Sequence, residues 1–134
     1  MRRSWASIRD GRLVCAAWLA VALFATLNAL VGYRRITWLF VSKAPSPPDP
    51  LARRIAAAVL VASRGVGGAT CLTQACAARA LLGLRGYAVT MRVGVRDAGQ
   101  GHLAAHAWLI SDDRVILGAG VEDFERYRPI TDYR

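Results

Sequence analysis

Apolar and polar positions change their period several times along this chain, and each change predicts a different element. Residues 13–32, LVCAAWLAVALFATLNALVG, carry no charge for about twenty positions, the length of a helix that crosses a bilayer core. Small residues fill much of this run, and Thr26 and Asn28 interrupt it. Arg9 and Arg12 precede it and Arg34 and Arg35 follow, so charge assigns no orientation across a membrane. A buried or interfacial helix is therefore as well supported as a spanning one. A cleaved secretory signal is not expected, because the run exceeds a signal core and basic residues follow at once. KAPSPPDP (43–50) then places four prolines in six positions, which forbids helix and favours a stiff extended linker. This divides the chain into an N-terminal apolar helical region (1–42), a proline-rich linker (43–50) and a folded domain (51–134).

Within the domain, LARRIAAAVLVASR (51–64) has apolar residues at 51, 55, 59, 60 and 62, the spacing of a helix packed along one face, and Gly65, Gly67 and Gly68 end it. A second helix is predicted from Thr70, a suitable N-cap, to Leu84, with Gly86 as the residue that closes it. YAVTMRVGV (87–95) alternates like a strand with Thr90 and Arg92 outward, and RDAGQGH (96–102) supplies turn residues. HAWLI (106–110) and RVILG (114–118) flank Ser111, Asp112 and Asp113, so they read as a β-hairpin. Helices followed by strands predict an α+β fold, in which helices pack on a small antiparallel sheet.

The 134 residues suffice for one domain with a modest core, so one site is sought. With 18 Lys+Arg against 9 Asp+Glu, the formal charge is +9, which suits an acidic partner such as an anionic membrane surface or an acidic peptide. Nucleic acid is not expected: the arginines are scattered, and no recognised nucleic-acid-binding pattern appears. Cys15, Cys71 and Cys76 include no CxxC pair and have no histidine at ligand spacing, which reads as reduced thiols in a cytoplasmic protein without metal or other cofactor. Residues 13–32 offer a route to membrane association. Cys15, inside the apolar run, is expected to be a small buried hydrophobe.

A cysteine nucleophile needs a local reason to ionise. Cys71 has one: it opens the second predicted helix after the glycine-rich GVGGAT, where free amides and the helix dipole stabilise a negative sulfur and can form an oxyanion hole. Cys76, about 140° further around the helix and in its interior, reads as core. His106 can take the thiol proton if its strand lies against the start of that helix. His102, in the glycine-containing loop, is expected to be solvated.

Taken together, ATCLTQACAARALLGLRGYAVTMRVGV (69–95) and AHAWLISDDRVILG (105–118) resemble the stand-alone transglutaminase-like cysteine protease of lasso-peptide biosynthesis, which removes the leader from the precursor. The resemblance covers most of residues 51–128. It implies a papain-like core with Cys71 as nucleophile, His106 as base, and an acid that orients the histidine. It also implies three partners: the precursor peptide, a separate leader-recognition protein and a lasso cyclase. The apolar N-terminal region is similar to the helical lead-in of stand-alone members.

The acid is where the sequence departs from the pattern. Asp112 and Asp113 sit in the predicted turn, about 20 Å from His106 along an extended strand. The position opposite His106 falls near Gly118 or Ala119, whose side chains accept nothing. Either Asp123 (or Glu122) reaches the histidine, or a backbone carbonyl replaces the acid, or the enzyme is weakened; Asp123 is favoured. Gln74, one turn beyond Cys71, can donate to an oxyanion. Trp108, on the same strand face as His106, can wall the cleft.

Overall fold

The computed structural model describes residues 11–31, 44–120 and 124–134. Among them, helices α1 (Gly11–Val31), α2 (Asp49–Ser63) and α3 (Cys71–Gly83) precede strands β1 (Thr90–Gly99), β2 (His102–Ser111), β3 (Arg114–Leu117) and β4 (Arg128–Tyr133). A 3-10 turn, Phe124–Arg126, leads into β4. The α+β expectation holds: three helices accompany an antiparallel sheet of order β3-β2-β1-β4.

One stripe of α1, Leu13, Ala17, Val21 and Phe24, is buried at helical spacing. It shares a core with Ile55, Val59 and Ala62 of α2 and Ala75, Ala78 and Leu82 of α3. The polar interruptions in this helix are partly satisfied, with Asn28 Oδ1 buried and without a hydrogen-bond partner among the described residues. Thr26 Oγ1 donates to the Ala22 carbonyl at 2.9 Å, and Asn28 Nδ2 donates to Thr73 Oγ1 of α3 at 3.2 Å. By length and composition Gly11–Leu30 could cross a membrane, a property that a core helix or a signal sequence also has. Cys15 departs from expectation: it is exposed, because it falls on the side of α1 away from the buried stripe.

The proline segment forms neither helix nor strand over residues 44–48, with Pro48 extended at φ −60° and ψ 142°, and against expectation its last two residues, Asp49 and Pro50, already belong to the first turn of α2, where proline's missing N–H costs nothing. It is also tied down. The Pro45 carbonyl accepts from the Ala88 amide at 3.0 Å, Ser46 Oγ donates to Asp112 Oδ1 at 2.8 Å, and Asp49 pairs with Arg114. The stiff segment therefore runs past the β2–β3 turn into α2.

The first hairpin is longer and tighter than the sequence implied. Strand β1 starts at Thr90, not Tyr87, because the Tyr87 amide closes α3 on the Leu82 carbonyl (3.0 Å) and Ala88 bonds to Pro45. It then runs to Gly99 and turns through Gln100 and Gly101, both at positive φ (55° and 76°), the conformation a two-residue hairpin turn favours. The second hairpin turns where expected, at Asp112 and Asp113 (φ 47° and 62°). Strand β4 was not anticipated. It lies on the exposed edge of β1, anchored by Arg92, whose Nε and Nη2 donate to the two carboxylate oxygens of Asp132 at 2.6 and 2.8 Å.

Successive side chains of a strand point to opposite faces. Met91 and Val93 of β1 and Ala107 and Leu109 of β2 face the helices and join their core. His106 and Trp108 are buried too, at 4% exposure each, but outside that core. A second, aromatic layer covers them.

Candidate active site

The head of α3 is built by its cap. Thr70, extended at φ −94° and ψ 171°, accepts from the Thr73 amide through its side chain at 3.3 Å, while its carbonyl takes the Gln74 amide at 3.0 Å. Cys71 is the first helical residue, half-buried at the margin of the core. The amides of Cys71 and Leu72 remain as the first-turn donors without helical acceptors. Gly68, at φ +78°, turns the chain into this cap with open space where a Cβ would stand. Gln74 lies half-buried one turn further on.

The other cysteines are chemically distinct from Cys71. Cys76 is buried with its sulfur 3.9 Å from Met91 Sδ. Burial pushes its thiol up from 9.0 to about 11, against a smaller opposing pull from Arg79, so it is neutral at physiological pH. Cys15 lies on the exposed side of α1.

His106 is held from two directions. Its Nε2 lies 2.6 Å from the Gly118 carbonyl oxygen. A carbonyl only accepts, so Nε2 carries the proton and Nδ1 of the neutral ring carries the lone pair, the state in which it can act as a base. Around the ring, Trp108 stacks at 5.8 Å and 22°, Tyr127 tilts against it at 5.3 Å, and Phe124 meets it edge-on at 6.2 Å. Arg96 sits over the Tyr127 ring at 5.4 Å, which closes the nest from outside.

Two glycines make room for this nest. Gly94 pairs with His106 across β1 and β2, and a Cβ there would stand 2.6 Å from Trp108 Cη2. Gly118 lies at φ +101°, and a Cβ would stand 2.7 Å from Trp108 Cβ. The sequence located Gly118 near His106 by counting from the turn. A register shift between Leu109 and Ile110 and the unusual Gly118 backbone then deliver its carbonyl to the imidazole. Gly94, Phe124 and Tyr127 were missed; the glycine inside the strand that pairs with the His106 strand was the available signal.

The described residues bring His106 and Trp108 together, but they do not join His106 to Cys71. The imidazole projects from the face of β2 opposite Ala107 and Leu109, whereas Cys71 packs at the margin of the helical core. No hydrogen bond links the two among the described residues. Asp112 is at the far turn, bonded to Ser46. Glu122 and Asp123 lie outside the described residues, as does any contact they make. Among the described residues no cluster of His, Cys, Asp and Glu could hold a metal ion.

A family model for the transglutaminase-like superfamily matches residues 16–132, from within α1 to within β4. The chain belongs to the transglutaminase-like superfamily. No curated protein and no solved structure gives a match. The superfamily includes cysteine proteases. The match extends over the proline segment and most of α1, so the transglutaminase-like sequence pattern takes in elements on both sides of the linker.

Proposed function

We propose that this transglutaminase-like domain is a cysteine peptidase that removes the leader from a lasso-peptide precursor, with Cys71 as nucleophile and His106 as general base. The observation that carries the reading is the position of Cys71. It is the first residue of a side-chain-capped helix, beside first-turn amides that have no helical acceptors and can donate to an oxyanion. The order of Thr-Cys-Leu helix and Ala-His-Ala-Trp strand supports the lasso-peptide assignment by resemblance.

In this reading His106 Nδ1 accepts the Cys71 proton, and the sulfur attacks the carbonyl carbon of the scissile peptide bond. The tetrahedral oxyanion is held by the Cys71 and Leu72 amides, with Gln74 as a further donor. Collapse breaks the C–N bond, and the leaving amine takes the proton from His106. Water then hydrolyses the thioester, giving the leader carboxylate and restoring the thiol. The Gly118 carbonyl orients the ring, and Trp108 shields it. Asp123 is assigned to stabilise the imidazolium; Phe124, the next residue in sequence, packs against the His106 ring. A separate leader-recognition protein presents the precursor, and a cyclase closes the released core peptide.

A second reading, a catalytically weak scaffold that recruits precursor and partners, is favoured by one observation: His106 and Cys71 share no hydrogen bond among the described residues. Mass spectrometry of the cognate precursor, incubated with the recognition protein and this chain, separates the two. Peptidase action releases the leader with wild type and not with Cys71→Ala, and Asp123→Ala slows it. An intact precursor with wild type, while the partner still binds the leader, leaves the scaffold.

A further inference from the structure

Neither the core nor the proposed chemistry uses the outer face of α1. Opposite the buried stripe, Trp18, Leu19, Leu23 and Leu30 follow at helical spacing with 46, 64, 55 and 77% of their surfaces exposed. Exposed Thr26 is the polar member of this face, and its hydroxyl is already bonded to the Ala22 carbonyl. The face therefore presents apolar side chains along most of a helix about 30 Å long.

We propose that α1 lies flat on an anionic membrane surface, with this face in the acyl-chain boundary, and anchors the protein peripherally. Three observations choose this occupant and geometry. First, Leu13, Ala17, Val21 and Phe24 are committed to the core with α2 and α3, so a helix crossing the bilayer would have to abandon that core. Second, the sequence sets Arg9 and Arg12 before the apolar run and Arg34 and Arg35 after it, in a chain of formal charge +9. Cations flanking an apolar helix face are the pattern of an interfacial anchor on anionic lipid. Third, Trp18 is half-exposed with its indole nitrogen near Gly65, at the end of α2, a placement suited to the headgroup level. The proposal stands whether or not the chain is a peptidase.

Flotation of the full-length protein with vesicles tests it. Vesicles of phosphatidylcholine with phosphatidylglycerol are compared with phosphatidylcholine alone, at low and high salt. The anionic vesicles should carry the protein at least tenfold better, high salt should release it, and Leu19→Ser with Leu23→Ser should weaken partitioning about a hundredfold. Both leucines are exposed, so the double variant should melt like wild type; if it does not, Leu30→Ser serves, with about a tenfold loss expected. Equal binding to neutral vesicles overturns the anionic surface. Retention through high salt and alkaline carbonate shows a spanning helix and overturns the flat geometry. Failure to float on any vesicle, with the variants instead disrupting a stable complex with a second copy or a partner protein, assigns the face to protein docking and overturns the lipid.

Discussion

At the scale of single residues, the most consequential atom near His106 is a backbone oxygen. Gly118 can offer it because the residue has no Cβ: at φ +101°, with Trp108 Cβ 2.7 Å from where one would be, any other residue is strained as well as crowded. Gly118→Ala is accordingly expected to cost about 1–3 kcal/mol in denaturant unfolding. Leader release should fall at least tenfold as the carbonyl leaves Nε2. Cys76 gives a test of a different kind. Its thiol titrates at about 11 in the folded protein against an ordinary 9.0, so between these values the folded state keeps a proton that the unfolded chain gives up. Stability from this group is full below pH 9 and declines as pH rises through 11. The alkaline loss of stability should be smaller in Cys76→Val than in wild type. The core position of Cys76 and the nearness of Gly118 to His106 were legible in sequence, the first from helical angle, the second from counting across a hairpin, whereas the histidine's partner favoured there was Asp123 and not the Gly118 carbonyl. What counting could not give is the register shift at Leu109/Ile110, nor the face of the sheet onto which a strand histidine turns.

At the scale of elements, α2 and α3 were readable because their ends carry their own chemistry. Pro50 sits in the first turn of α2, Thr70 caps α3, and Gly86 at φ +82° lies in the turn that follows it. The cap matters twice, since it fixes the helix start and so leaves the Cys71 and Leu72 amides without helical acceptors. Thr70→Ala should destabilise by about 1 kcal/mol in chemical denaturation, whereas Thr70→Asp, which keeps an acceptor, should lose far less. The strands were harder. The start of β1 is displaced by a hydrogen bond that belongs to the end of α3. Strand β4, RPITDY, is an edge strand exposed along nearly its whole length, so no apolar alternation announces it. Its attachment rests on ladder bonds to β1 and the Arg92–Asp132 pair, which depend on partners far away in sequence. For α1 the sequence left burial, interface and membrane open, because a helix that is apolar all round does not show which side the core takes.

At the scale of the whole molecule, the sheet is covered twice: the helices bury one face through Met91, Ala107 and Leu109, and the segment around Phe124 and Tyr127 buries His106 and Trp108 on the other. Cys71 packs with the first layer and His106 with the second, so the proposed chemistry requires the thiol and the imidazole to meet where these layers adjoin. The superfamily match spans both layers and most of the apolar helix. The claim that Cys71 is the nucleophile activated by His106 can be put to one measurement. A leader-derived peptide ending in a thiol-reactive electrophile is incubated with wild type and with His106→Ala, and the modified cysteine is located by peptide mapping. The account predicts labelling at Cys71, with Cys15 and Cys76 left free, and at least a tenfold slower reaction without His106. Labelling that falls on Cys15 or Cys76, or that proceeds at an undiminished rate in His106→Ala, would contradict it.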